Sequence, residues 1–197
     1  MTRAPFTREA ADVRRQALVE AAARVLATRG VAGASVRTIC AEAGVSPGLL
    51  RHYFEGVDAL VAATYEATGA RIDAALEAAV AAAGQDPRAR LSAYLTASFA
   101  PPVLDPDLLA TWLAFWSLVK VDPAIAAIHR RTYAGYRARL EELLGACDPR
   151  VDARLAAIGL TAVVDGLWLE LCLDAAVFTP AEAGAIAERL AAGYLGG

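Results

Sequence analysis

Six of the nine prolines stand directly behind a residue whose side chain can cap a helix: Ser46-Pro47, Asp86-Pro87, Asp105-Pro106, Asp122-Pro123, Asp148-Pro149 and Thr179-Pro180. Proline costs nothing at the first position of a helix, where its missing amide hydrogen would be unpaired anyway, and is disruptive further in. The preceding Ser, Thr or Asp offers an oxygen to an orphan amide of the first turn. Together with Gly30, Gly44, Gly84 and the Ala100-Pro101-Pro102 break, the pattern cuts the chain into helices. It predicts them at residues 8–29, 36–43, 47–53, 57–83, 87–99, 105–119, 122–145, 149–175 and 180–195. Runs of β-branched residues with period two are missing, while Ala, Leu, Arg and Glu dominate, so the fold class is all-α.

The chain has 197 residues, is 57% hydrophobic and has a mean hydropathy of +0.39. That is ample for a core and excludes a disordered chain. Alanine raises the average. The longest strongly apolar run, Leu108 to Val119, has 12 residues, against about 20 for a membrane-spanning helix, so no membrane partner is expected. The first residues, MTRAPFTREAADVRR, lack the apolar centre of a secretion signal. Cys40, Cys147 and Cys172 are odd in number and scattered, which fits a reducing cytoplasm and argues against a disulfide framework or a thiolate metal site. His52 and His129 lie in no metal-binding spacing, and no nucleophile elbow or phosphate-binding glycine loop occurs. No catalytic residue, metal or cofactor is expected.

Net charge is −3, but it is unevenly spread. Residues 1–56 hold eight arginines against five acids, and residues 57–197 hold eleven basic groups against seventeen acids. A basic head on an acidic body implies that the head alone meets an anionic partner. The two short helices in the head, joined by Gly44-Val45-Ser46, have the layout of a helix-turn-helix, whose second helix enters the major groove of DNA. Arg37, Arg51 and His52 supply charge there. Ser35, Thr38, Ser46 and Tyr53 supply hydroxyls of the kind that bind phosphate oxygens. A plain three-helix bundle with solvated arginines has the same periodicity.

Ala17 to Leu60 resembles the N-terminal domain of the TetR family of one-component repressors. The residues that carry the resemblance are Gly30, Thr38-Ile39-Cys40-Ala41-Glu42-Ala43-Gly44-Val45-Ser46, Leu50-Arg51-His52-Tyr53-Phe54 and Ala59-Leu60. It implies a homodimer whose two heads read a palindromic double-stranded DNA operator. His52 and Tyr53 match positions used at the DNA, and Pro47, Gly48 and Leu49 match base-facing positions. Two residues depart from the pattern. Arg51 stands where the family usually has an aromatic, and Val57 where it usually has a phosphate-holding lysine.

All three tryptophans lie in the body. Leu108, Trp112, Phe115 and Val119 form one helical stripe, with Trp116 at its edge. In the 149–175 segment Ile158, Ala162, Asp165, Trp168, Leu169 and Cys172 form a second stripe, and Leu160, Val164, Leu167 and Leu171 a third. A helix apolar on two faces is usually buried on both, here against the core and a second subunit, with the last helix (Ile186, Leu190, Tyr194) beside it. Asp165 on such a stripe requires a partner. An arginine such as Arg130 or Arg137 meets the need, and so does a cationic ligand held against tryptophan faces. Core packing of the tryptophans and a pocket for another apolar ligand are the other readings. The segments Trp112–Trp116 and Asp165–Leu169 resemble those of the choline-responsive branch of the family, which implies a choline-like cation as effector. His129 and Tyr133 share a helical face and either line the pocket or sit at a surface.

The expected architecture is therefore a three-helix DNA-binding domain over 1–56 and a six-helix ligand-binding and dimerisation domain over 57–197. The expected function is a ligand-responsive transcriptional repressor. The alternatives are a ligand-independent DNA-binding regulator and a small-molecule enzyme, for which Asp165 and His129 are the available acid–base pair.

Overall fold

The structure, a computed structural model, describes residues 5–196, with side chains from Ala11 onward. Within the described residues nine helices follow one another and no strand occurs: α1 Pro5–Gly33, α2 Val36–Ala43, α3 Pro47–Tyr53, α4 Val57–Ala82, α5 Pro87–Ala97, α6 Pro106–Leu118, α7 Pro123–Cys147, α8 Ala153–Leu173 and α9 Pro180–Tyr194. The chain divides into two compact units, one of Met1–Thr68 with Ala110–Ile128, the other of Gly69–Leu109 with His129–Gly197.

Five of the six cap–proline pairs start a helix as the sequence predicts. Ser46, Asp86, Asp105 and Thr179 accept the amides of Leu49, Ala89, Leu108 and Glu182, and Asp122 accepts those of Ala124 and Ile125. The sixth does not. Asp148 accepts the Arg150 amide and pairs with its guanidinium at 2.9 Å, and α8 begins only at Ala153, capped by Asp152 through the Leu155 amide. The predicted span 149–175 is therefore corrected to Ala153–Leu173. Gly30, with φ 62° and ψ −172°, breaks α1 as predicted, but Val31–Gly33 adds a further turn.

In the first unit, Leu18, Ala21, Ala22 and Val25 of α1 pack with Ile39 and Cys40 of α2, Leu50 of α3, Phe54 and Leu60 into one buried cluster. Each large side chain removed from water there contributes about 1.5–3 kcal/mol. Local chemistry sets the angle of the short helices. Ser35 Oγ accepts the Thr38 amide at 3.2 Å while Thr38 Oγ1 accepts the Ser35 amide at 2.9 Å. Gly44, in the left-handed region at φ 65°, closes α2, and the Val45 amide returns to the Cys40 carbonyl at 3.0 Å.

In the second unit, α9 packs on α5 and α8. One face of α8 is buried, through Ala157, Leu160, Thr161, Val164, Trp168 and Leu171, and α9 meets the unit with Ala183, Gly184, Ala187 and Ala191. The opposite face of α8 is open: Leu155, Ile158, Ala162 and Gly166 are exposed. The sequence stripe that joined Ile158 and Ala162 to Trp168 is thus split. Trp168 belongs with Val164 and Leu171. By length and composition α8 could also cross a membrane, with a mean hydropathy of 1.7 over its most apolar stretch. Counting unbroken apolar runs missed it because Asp165 interrupts the run. Its buried face makes it a core helix of this unit.

Candidate functional site

The outer face of α3 follows from its inner one. Leu50 and Phe54, four apart, are buried, which turns Pro47, Gly48, Arg51 and His52 outward. Leu49 and Tyr53 are half-buried at the rim, and the His52 and Tyr53 rings meet edge to face at 5.0 Å. Ser46 is exposed but its hydroxyl oxygen already caps α3. Arg37 is exposed on α2, whose first turn is held by Ser35 and Thr38. Those two hydroxyls bond each other, and Thr38 also donates to the Gly33 carbonyl at 2.7 Å. They orient the end of α2 more than they reach outward. Two other arginines of the head are engaged internally: Arg15 lies 5.0 Å above the Phe54 ring, and Arg24 pairs with Glu42 at 2.7 Å. Val57, at the start of α4, is half-buried against the small core, so an apolar contact occupies the position of the family's usual lysine.

The structure divides the seven residues singled out in the body between the two units. Trp112, Phe115 and Trp116 fall in the first unit. Trp112 and Phe115 are buried around Tyr65 of α4, which stacks on Phe115 at 4.3 Å and meets Trp112 edge-on at 5.1 Å. Such pairs are worth about 0.5–1.5 kcal/mol beyond area burial. Trp116 is half-buried. Sequence reasoning missed Tyr65, since nothing along α4 marks one tyrosine as the centre of an aromatic cluster.

His129, Tyr133, Asp165 and Trp168 fall in the second unit. The His129 and Tyr133 rings approach to 4.2 Å. Burial, then Arg137 and Arg130, push the His129 pKa below its ordinary value, so its neutral form is favoured. The Tyr133 hydroxyl donates to Asp165 Oδ1 at 3.0 Å. Burial pushes the Asp165 pKa up to about 6, against the opposing effects of that hydrogen bond and of Arg137. The partner of Asp165 is therefore a neutral hydroxyl, where the sequence suggested Arg130, Arg137 or a ligand. Arg137 lies 6.0 Å from the Tyr133 ring centre. Trp168, one turn beyond Asp165, is buried and donates its indole N–H to the Ser98 carbonyl at 2.9 Å. Tyr136, three residues after Tyr133, stands 5.4 Å from the Tyr94 ring. Spacing along α7 could have pointed to Tyr136. Nothing in the sequence places Ser98 or Tyr94 beside it. Among the described residues no group of three His, Cys, Asp or Glu could hold a metal ion.

Residues 18–64 match the family described as bacterial regulatory proteins, tetR family, and residues 87–196 match BetI-type transcriptional repressor, C-terminal. The chain belongs to the TetR family. The regulator BetI of Burkholderia mallei (strain NCTC 10229) is 34% identical over 158 residues, covering 80% of this chain and 81% of that protein. Among solved structures, a transcriptional regulator from Pseudomonas aeruginosa PAO1 aligns with TM-score 0.87 and 44% identity over 94% of this chain and 92% of its own. Another, from Saccharomonospora viridis and described as a complex with choline, shares the fold at TM-score 0.77 and 20% identity, over 90% and 95% of the two chains. This TetR-family protein is thus a DNA-binding transcriptional regulator with a BetI-type C-terminal region, and its relatives are regulators, not enzymes.

Proposed function

We propose that this TetR-family protein is a cytoplasmic homodimeric repressor that binds a palindromic operator and is released by a small quaternary ammonium cation of the choline class. Residues 1–56 serve as the DNA-binding part and 57–197 as the ligand-binding and dimerising part. On this reading Pro47, Gly48, Leu49, Arg51, His52 and Tyr53 face the major groove. Arg37 reaches phosphate, while Ser35, Thr38 and Ser46 fix the helix ends that set the register. A second copy covers the open face of α8 around Ile158 and Ala162, with Ile186 and Tyr194 of α9.

Asp165 carries the effector reading. It is a largely buried carboxylate bound to the Tyr133 hydroxyl, a partner that carries no charge, and the attraction of Arg137 does not outweigh its burial. The Tyr133 ring that bonds it meets the His129 ring at 4.2 Å, and Trp168 follows Asp165 by three residues on α8. A desolvated cation on such rings gains about 2 kcal/mol, and a carboxylate adds Coulomb attraction. Trp112, Phe115 and Trp116 are left out of this site, two of them as core aromatics of the first unit. Release follows if the effector favours a dimer whose heads no longer sit about 34 Å apart, one turn of DNA. The expected coupling is about 1–3 kcal/mol.

The test is titration of the purified protein with choline chloride, betaine aldehyde and glycine betaine, followed by tryptophan fluorescence and by operator binding. The uncharged analogue 3,3-dimethylbutan-1-ol is the control. Saturable quenching by choline, absent with the uncharged analogue and in Asp165→Asn, together with loss of operator affinity, supports the reading. Unchanged fluorescence and equal operator affinity with and without these cations reject a choline-class effector and leave DNA binding in place.

A further inference from the structure

Arg51 is the uncommitted cation of α3. It is exposed, and among the described residues no hydrogen bond or ion pair holds its guanidinium. Other arginines of the head are taken: Arg15 lies over the Phe54 ring and Arg24 pairs with Glu42. The acids around α3 do not compensate Arg51. Glu42 is held by Arg24. Glu55 lies past the end of α3, where Phe54 takes extended backbone at φ −138° and ψ 137°. Asp58 stands in the first turn of α4, where the helix dipole favours a negative charge.

The helix aims this free group. A long side chain on a helix leans toward the N-terminus, over the residues three and four before it. For Arg51 these are Gly48 and Pro47, both exposed. Gly48 has no side chain to block the way, and a Cβ there would meet only Ser46 Oγ, at 3.8 Å. Pro47 has neither an amide hydrogen nor a charge. Ser46 Oγ already accepts the Leu49 amide at 3.3 Å. The first turn of α3 therefore offers the guanidinium neither bulk nor a charged partner. It is also the end of a recognition helix that meets base edges.

We propose that Arg51 is the specificity-determining residue of the head: it reads a guanine in each operator half-site. The guanidinium fork matches the O6 and N7 acceptors of guanine, a pair that no other base presents in the major groove. Arg37, on α2, supplies charge to the DNA backbone, whereas Arg51 supplies sequence. This rests on the reading above that α3 enters the major groove, and adds to it a recognised base and the side chain that recognises it.

The experiment is selection of duplexes from a pool of random DNA by the purified full chain, by Arg51→Ala and by Arg51→Gln, followed by sequencing. The wild type is expected to select a site with a fixed guanine in each half. Arg51→Ala is expected to lose the preference at that base pair and keep it at the others. Arg51→Gln is expected to move it to adenine, whose N6 and N7 fit an amide. On the wild-type site, 7-deazaguanine is then placed at each fixed guanine in turn, which removes the N7 acceptor and leaves base pairing intact. At one guanine per half it is expected to weaken wild-type binding about tenfold, and Arg51→Ala not at all. The slope of log affinity against log salt is expected to be the same for Arg51→Ala as for the wild type, since no phosphate contact is lost. A wild-type site without a fixed guanine, or 7-deazaguanine without effect at every position, overturns the proposal without need of any variant. So does an Arg51→Ala protein that keeps every base preference, or one that weakens on all sequences alike with a shallower salt slope, as a phosphate contact would. Failure of the wild type to select any sequence overturns the reading of α3 itself, and this proposal with it.

Discussion

The Tyr133 hydroxyl and the Asp165 carboxylate, 3.0 Å apart and 32 residues distant in sequence, join α7 to α8 without an opposite charge. A hydroxyl satisfies one lone pair of the carboxylate but does not offset the cost of burying its charge. Burial therefore raises the Asp165 pKa from 3.8 to about 6. Between these values the folded protein holds a proton that the unfolded chain has released, so stability falls as pH rises through the window and is level above it. Relative to Asp165→Asn, the wild type is expected to lose about 2 kcal/mol between pH 4 and pH 7. Urea unfolding of both proteins across that range checks it. Parallel pH curves would remove Asp165 as the cause.

The same titration governs the proposed effector. A cation is attracted only to the ionised carboxylate, so choline binding is expected to hold steady above pH 6 and to weaken about tenfold per unit below it. Titrations at pH 5, 6, 7 and 8 read this directly. In Asp165→Asn the affinity is expected to be weak and flat with pH.

Gly48 is exposed on α3, and a Cβ there would meet only Ser46 Oγ, at 3.8 Å, an ordinary contact. The fold does not need the glycine. Gly48→Ala is expected to stabilise the protein by about 0.5–1 kcal/mol through helix propensity. If the backbone at Gly48 approaches the base edges, the same change weakens operator binding at least about tenfold. Thermal unfolding and operator titration together separate the effects. Unchanged operator affinity would move the close approach elsewhere on α3.

Val57 packs its apolar side chain against the small core of the first unit. Val57→Lys is expected to cost about 1 kcal/mol of stability, while its stem still covers the core and its ammonium reaches solvent. Operator binding is expected to tighten, and the slope of log affinity against log salt to steepen by about 0.9 for each head. An unchanged slope would show that no phosphate lies within reach of this position.

Ile158 is 42% exposed on the open face of α8. Ile158→Asp is expected to leave helicity intact, because the position lies on the open face of α8 and not among its buried residues, and to dissociate the proposed dimer. Sedimentation equilibrium gives the mass, and operator affinity is expected to fall with it, since two half-sites would no longer be read together. A variant that remains dimeric would place the interface off this face.

The elements that were legible along the chain are those whose causes are local. Ser35 with Thr38, Gly44, and Ser46 with Pro47 define α2, the turn and α3 within a few residues, so both short helices end where the sequence predicts. Asp148 shows the limit of that logic, because two caps four residues apart competed and the one without the proline began α8. The aromatic residues show it more sharply. Trp112, Phe115 and Trp168 were all visible as apolar positions. That two of them surround Tyr65 while the third binds the Ser98 carbonyl depends on which helices lie together.

By itself, then, the sequence determined the nine helices of the described residues, a helix-turn-helix with its basic outer face, and membership of a family, because caps, glycine turns and helical period act over one or two turns of chain. The tertiary structure decided which face of α8 is buried, that Asp165 meets the Tyr133 hydroxyl, and that the Trp168 indole meets the Ser98 carbonyl. A helix apolar around most of its circumference has no preferred side until a neighbour covers one. The partner of a buried polar atom is fixed by the element that arrives there, from 32 residues away in the case of Asp165 and 70 in that of Trp168.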